Sequence, residues 1–343
     1  MTRRGALLVG SVPLEDAASV FRTVAARIGG LLRRIPDGET GERKNWIAWQ
    51  LGVFAAMPGL ESEIFDAGYI KRAKFRLKPG VDPAKLRFPP LGYSAAAIAS
   101  YAQFRRLRDA GEIPAHLRFE VCLPTPVAGM TVYVFPESQR AVEPAYEARL
   151  LQELDEILAA VPHGDLAIQW DVAIEFAILE GVMQSHFADP EHDILERLAR
   201  IGACVPRGVE LGYHLCYGDA GGRHFKEPTD TALMVRVANA LAQQLARPLD
   251  WIHMPVPRSR DDTAYFAPLA DLQLDARTEL YLGLVHAADG AEGARRRIAA
   301  ASRFAPRFGV ATECGLGRQA PESIPALVDL HRQILEQRES ADA

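Results

Sequence analysis

The strongest constraint on the fold of this chain is an alternation that runs almost end to end. A short apolar run closed by Gly, Pro or a polar residue is followed by an amphipathic segment at helical spacing, eight times over. ALLVGSVP (6–13) reads as a strand with its turn, and LEDAASVFRTVAARIGG (14–30) as a helix that ends on glycines. LLRRIPDGE (31–39) is a second strand, with a helix expected over 42–57. The other six strands are RFEVCLPTP (118–126), LAIQWD (166–171), VELGYHLCYGD (209–219), LDWIHMPVP (250–257), ELYLGLVHAADG (279–290) and RFGVATECGLG (307–317). Helices are expected near 95–110, 142–160, 190–203, 228–246, 291–304 and 322–337. One stretch breaks the alternation. Residues 58–95, with YIKRAKFRLKPG and LRFPPLGY, read as a short basic, hairpin-like insertion whose charges form a solvated face.

Eight strands rich in Val, Leu and Ile, each followed by helical sequence, argue for a single-domain α/β fold, a (β/α)8 TIM barrel over 1–338 with a flexible tail at 339–343, over an open doubly wound sheet. No GxGxxG follows the first strand and no GxxxxGK[ST] occurs, so a dinucleotide or P-loop site is disfavoured. The 343 residues, 48% hydrophobic and 24% charged, have the make-up of an ordinary globular chain with a sizeable core. A net charge of −5 gives no electrostatic reason to expect nucleic acid or an anionic membrane surface. No apolar segment nears the roughly 20 residues that span a bilayer, and the run after the N-terminal arginines is too short for a signal-peptide core. The expected compartment is the cytoplasm, and the oligomeric state is left open. Cys122, Cys204, Cys216 and Cys314 are too scattered for a disulfide framework. Cys122 and Cys204 read as packed thiols.

Barrel enzymes place their chemistry at the C-terminal ends of the strands. Those ends carry Ser11, Asp37 with Glu39, Thr125, Gln169 with Asp171, His214 with Cys216 and Asp219, His253, His286 with Asp289, and Glu313 with Cys314. His214 and Cys216 share a strand face because they are two residues apart. One imidazole, two thiolates and a second imidazole from His253 suit zinc, the commonest ion for mixed nitrogen and sulfur ligands. His253 reads equally as a substrate contact or a packed histidine. Asp171 needs a cation, either an internal Arg or Lys or a ligand's ammonium group. Glu39 and Arg43 in PDGETGER read either as a mutually paired helix start or as site residues.

With these residues in hand, the chain resembles the C-terminal catalytic barrel of cobalamin-independent methionine synthase, within the superfamily that includes uroporphyrinogen decarboxylase and the zinc-dependent epoxyalkane:coenzyme M transferase. LLVGSVP looks like the family's Gly-Ser-Phe-Pro turn, PDGETGERKNW like its His-Gly-Glu motif, and AIQWDVAIEFAILEG like its Ile-Asp-Glu-Pro-Ala-Leu segment. HLCYGD matches its His-x-Cys-Tyr stretch and ATECGLGR its Pro-Asp-Cys-Gly-Leu-x-x-Arg stretch. In extent the chain is similar to the shorter, core-type members. The resemblance implies a zinc site of His214, Cys216 and Cys314, with the family's glutamate ligand replaced by His253 in WIHMPVPRS. It implies that Ser11, Glu39 and Asp171 hold the amino-acid part of a homocysteine-like thiol. Thr125 and Arg43 are further substrate-binding candidates. His286, about two residues early for the family's proton-handling histidine, and Asp289 are the catalytic candidates. The implied activity is transfer of a methyl or alkyl group from a small-molecule donor to a small-molecule thiol. A metal-free lyase of the decarboxylase type, in which Asp37, Arg43 and Arg258 hold substrate carboxylates, and a non-catalytic zinc-binding accessory barrel are the alternatives.

Overall fold

Apolar strands that alternate with amphipathic helices can bury both sheet faces, one under the helices and one inside a closed barrel. The computed structural model, which describes residues 5–66, 71–219 and 221–341, has this architecture. The barrel strands are β1 (Ala6–Leu7), β2 (Arg34–Pro36), β5 (Arg118–Pro124), β6 (Leu166–Val172), β7 (Glu210–Leu215), β8 (Trp251–Pro255), β9 (Glu279–Val285) and β10 (Gly309–Thr312). Between the second and third of these, β3 (Leu60–Asp66) and β4 (Lys71–Leu77) form a separate antiparallel hairpin. The barrel order is β2-β5-β6-β7-β8-β9-β10-β1, and every hydrogen-bonded pair is parallel. Neighbours in the chain are thus neighbours in space, as successive crossover helices require. The seam of this nearly closed barrel falls between the two shortest strands.

Local sequence accounts for most helix boundaries. Asp16 caps the helix Ala17–Ile28 by accepting from Ser19 N at 2.7 Å, and Val20, Phe21, Val24 and Ile28 form its buried stripe. Asp189 does the same for Pro190–Ala203 through His192 N at 3.2 Å. The helix expected over 42–57 is instead broken into 3-10 turns, Gly41–Asn45 and Ala48–Gln50, and a short helix, Leu51–Ala55. Trp46 lies between the turns with φ at 55°, a conformation no α-helix accommodates. The final helix, Ile324–Ala341, runs into the tail expected at 339–343, whose last two residues lie outside the described ones.

The hairpin also differs from a purely solvated basic face. Lys74 is buried, donates to Thr131 O at 3.0 Å and lies 5.2 and 5.4 Å from the ring centres of Phe65 and Phe135. Burial lowers its pKa to about 8. The Arg76 guanidinium stacks 3.8 Å above Phe135. These cations therefore fasten the hairpin to the barrel. Tyr69 and Ile70 of the same stretch lie outside the described residues.

Leu7, Val9, Ala167, Trp251, Tyr281 and Ala311 form a small buried cluster apart from the larger layer between strands and helices. At the N-terminal ends of the strands the barrel is closed by charge. Arg34, 1% exposed, donates to Glu210 and Glu279 at 3.0 Å each and lies 4.0 Å over the Trp251 ring. Glu120 is buried beside it with neither carboxylate oxygen hydrogen-bonded among the described residues, and burial raises its pKa to about 8 against the pull of Arg34. Among the described residues no helix is long and apolar enough to cross a membrane.

Arg34→Ala leaves Glu120 buried without a cation, and Glu210 and Glu279 with only Arg118 and Arg33 at the rim, and is expected to cost about 3–5 kcal/mol, because breaking one side of a buried pair exposes the desolvation penalty of the other. Urea unfolding reads this as a lower midpoint at unchanged slope. A midpoint equal to that of the wild type would show that Arg34 does not hold this end together.

Candidate metal centre

Strand register assembles the opposite end. Asp171 on β6 pairs with His214 on β7, and His214 pairs with His253 on β8, so the three stand in one row across adjacent strands. Cys216 follows His214 by two residues and continues the same face. Its backbone N donates to Val172 O at 2.9 Å, and its Sγ accepts from Gly218 N at 3.2 Å.

Cys314 arrives from the loop after β10, three strands on from β7. The loop after β10 is tied to the turn after β1, because Leu316 N donates to Ser11 O at 2.6 Å and Gly317 N to Ser11 Oγ at 3.2 Å. It is tied to the loop after β7 as well, by Arg318 donating to Asp219 at 2.7 Å. Thr312 Oγ1 donates to Cys314 O at 2.8 Å and sets the turn itself. The outcome is a Cys216 to Cys314 Sγ separation of 3.8 Å across 98 residues of chain. Ligand atoms of His214, Cys216 and Cys314 all lie within 4.8 Å of one another.

The electrostatics of this cluster favour metal ligation. Burial, with His253 alongside, pushes the His214 pKa well below its usual value and keeps a ring lone pair free of protons. The hydrogen bond with Cys314, together with burial, pushes the Cys216 thiol up. Two thiols, one buried and one partly exposed, and a neutral imidazole therefore lack a cation that would stabilise the thiolates. Nitrogen and sulfur donors in this set suit zinc.

A second group lies next to it. Burial raises the Asp171 pKa; the hydrogen bond from Gln169 Nε2 at 3.0 Å opposes this, and Cys314 adds to it. Burial also raises Glu39, and Asp171 and Asp37 raise it further. Glu39 is held with φ at 47°, a left-handed conformation uncommon outside glycine, and its backbone N donates to Asp37 Oδ1 at 2.8 Å. The two carboxylates thus repel one another while Arg43 draws Glu39 the other way, and a ligand's cation would relieve the repulsion.

Not every candidate joins the centre. Arg43 pairs with Asp37, at 2.7 and 3.4 Å, and not with Glu39; Ser100 Oγ supports the same carboxylate at 2.7 Å. Thr125 is fully buried, caps the helix Pro126–Tyr133 and donates to Glu175. Asp289 is held by Arg297 through two hydrogen bonds of 2.7 and 2.8 Å, which lower its pKa. His253, the replacement expected for the family's glutamate ligand, stands outside the three-residue cluster and uses both ring nitrogens elsewhere, on His214 Nδ1 at 2.7 Å and Thr312 O at 3.1 Å. His286 Nε2 donates to Val256 O at 2.8 Å, and Nδ1 lies 3.9 Å from Glu313.

Sequence reasoning missed His224. It lies in the irregular loop after β7, where no periodicity marks it, yet its Nε2 is 3.0 Å from Glu313 Oε1 and its Nδ1 3.2 Å from Glu227. Burial disfavours its charge, but Glu313 and Glu227 outweigh burial and lift its pKa to about 9. Glu313 sits between His224 and His286 and immediately precedes Cys314. Its place in ATECGLG was the available signal.

No family model matches the chain, and no curated protein matches it. Solved structures do. A B12-independent methionine synthase from Shewanella sp. W3-18-1, in complex with selenomethionine, superposes with a TM-score of 0.65 at 13% identity, covering 98% of both chains. A methyltransferase from Methanosarcina mazei superposes with a TM-score of 0.57 at 10% identity, covering 99% of this chain and 95% of the other. At these identities the likeness establishes the barrel fold along nearly the whole chain.

The loop that delivers Cys314 fits against Ser11 only because residue 315 is glycine: a Cβ there would stand 2.4 Å from Ser11 Oγ. Gly315→Ala is expected to cost about 1–3 kcal/mol through overpacking and to part the two thiols. A trivalent arsenical that bridges paired thiols should then bind the metal-free variant more weakly than the wild type. Unchanged capture and unchanged stability would show that the thiol pair does not depend on this contact.

Proposed function

We propose that this chain is a zinc-dependent transferase that moves a methyl or alkyl group from an activated small-molecule donor to the sulfur of a small thiol, with homocysteine or a close relative as acceptor. The observation that carries the reading is the His214, Cys216 and Cys314 cluster, beside two mutually repelling carboxylates whose nearby cation, Arg43, is hydrogen-bonded to Asp37. That the superposed structures are a methionine synthase and a methyltransferase supports it.

His214, Cys216 and Cys314 would hold the ion. Bound there, zinc supplies Lewis acidity that lowers the pKa of a substrate thiol, so that a thiolate is the nucleophile at neutral pH. The protein's own groups do the rest. Glu39 and Asp171 receive the ammonium group of the acceptor, and its charge lets both carboxylates ionise in a buried space. Ser11 stands at the same strand end, its Oγ already accepting from Gly317 N. The acceptor sulfur forms its bond to the transferred carbon as the bond from that carbon to the donor breaks, and the departing group keeps the electron pair. His286 Nδ1, next to Glu313 and free of a proton because Nε2 donates to Val256 O, can take the proton that the acceptor thiol gives up and pass it to that group. The metal-free decarboxylase alternative gains nothing from Arg43, whose guanidinium is held by Asp37.

Protein purified without chelator is expected to carry about one zinc per chain, as a three-ligand catalytic site with an open position does, and Cys216→Ser or Cys314→Ser should lose it. Elemental analysis that finds no metal, with activity unchanged in both variants, would end the metal mechanism. Substrate recognition has its own test. Asp171→Asn should raise KM for an amino-acid thiol about 10- to 100-fold, the worth of a hydrogen bond to a charged group, while leaving a thiol without an ammonium group unaffected. An equal rise for both thiols would remove Asp171 from ammonium binding.

A further inference from the structure

We propose that His253 is a positioning residue that sets the tautomer of His214, so that Nε2 of His214 is the ring nitrogen offered to the metal. The inference rests on the zinc reading above for the identity of the ion and on hydrogen-bond chemistry for the rest.

The argument starts from Thr312 O, a carbonyl that can only accept. His253 Nε2, 3.1 Å away, must carry a proton to bond to it. His253 is fully buried, and among the described residues neither it nor His214 forms an ion pair. An unpaired imidazolium there would bear the full cost of a buried charge, so each ring is neutral and carries one proton. His253 Nδ1 then holds a lone pair. The two Nδ1 atoms are 2.7 Å apart, close enough to require one proton between them, and that proton belongs to His214. His214 is left with its lone pair on Nε2. The pair thus forms a directed chain, from His214 through His253 to the backbone of β10, that fixes the first ring's orientation and basicity as an outer partner does for a metal-bound histidine.

A separate feature of the structure is shaped to this arrangement. Gly283 on β9 lies where the His253 ring meets Thr312: a Cβ at that position would be 3.0 Å from His253 Nε2, 2.9 Å from Thr312 O and 2.7 Å from Glu313 Cα. The missing side chain is what lets the ring reach its carbonyl. With His253 outside the ligand set, one neutral imidazole and two thiolates balance the charge of a divalent ion, and a position is left for the substrate sulfur.

Nitrogen-15 NMR of the histidine rings in the full chain, metal-free and after zinc addition, tests this together with zinc affinity measured by chelator competition. The metal-free protein is expected to show the Nδ1–H tautomer at His214 and the Nε2–H tautomer at His253. Zinc should then shift His214 Nε2 and leave both nitrogens of His253 in place. His253→Ala should weaken zinc binding about 10- to 100-fold, as loss of such outer partners does. His253→Gln, which keeps one acceptor and one donor on a similar reach, should restore it to within a few-fold. A metal-induced shift at either nitrogen of His253, or a folded His253→Ala protein that binds zinc as tightly as the wild type, overturns the proposal. Failure to take up zinc at all counts against the function proposed above and is read separately, because the tautomers of the metal-free rings report the histidine pair by themselves.

Discussion

In-register parallel pairing across β6, β7 and β8 is the constraint on which the rest of this end of the barrel depends. It places Asp171, His214 and His253 in one row, so that a carboxylate, a candidate ligand and that ligand's neighbour share a level. Because strand side chains alternate with a period of two, a slip of one residue on β7 would turn both His214 and Cys216 to the opposite face. On β9 the register partner of His253 is Tyr281; Gly283, two residues further on, and the carbonyl at the end of β10 receive its ring.

The two ends of the barrel treat buried charge in opposite ways. At the N-terminal end Arg34 is matched by Glu210 and Glu279 and covered by Trp251, so the charge serves closure. At the C-terminal end Glu39 and Asp171 repel each other, with the nearby Arg43 hydrogen-bonded to Asp37, next to the Cys216 thiol held up in pKa. Mutual repulsion of this kind is tolerated where a ligand is to relieve it, and this matches the division of barrels into a stabilising and a reactive face. The nearby arginine that sequence proximity offers, Arg43, is hydrogen-bonded to Asp37, whose carboxylate Ser100 also supports, so its guanidinium is not free to pair with the two repelling carboxylates.

Much of this was legible in the chain itself. The eight strands, the order of the crossover helices and the hairpin insertion follow from periodicity and capping residues, which act over a few positions. The helix expected over 42–57 fails where Trp46 takes a positive φ, a backbone choice made by the surrounding structure and not by local propensity. The basic stretch misleads for a related reason: Lys74 is a surface residue by type, but Phe65, Phe135 and the Thr131 carbonyl surround it once the hairpin docks. At the site, the strand-end carboxylates and the His214 and Cys216 pair were visible from spacing. The retirement of Thr125 into a helix cap and of Asp289 onto Arg297 was not.

By itself the sequence determined a chain of βα units with ligands, acids and bases at the strand ends, since alternation and turn chemistry are properties of neighbouring residues. Only the tertiary structure decided which of those groups meet. Cys314 reaches Cys216 because the loop after β10 is hydrogen-bonded to Ser11 and Arg318 reaches Asp219, contacts between residues far apart in the chain. His253 becomes a partner of His214 and stands apart from the thiol pair because β10 presents a carbonyl, and β9 a glycine, where its ring points. Distances across a barrel are set by register and loop closure, and these depend on all the strands at once.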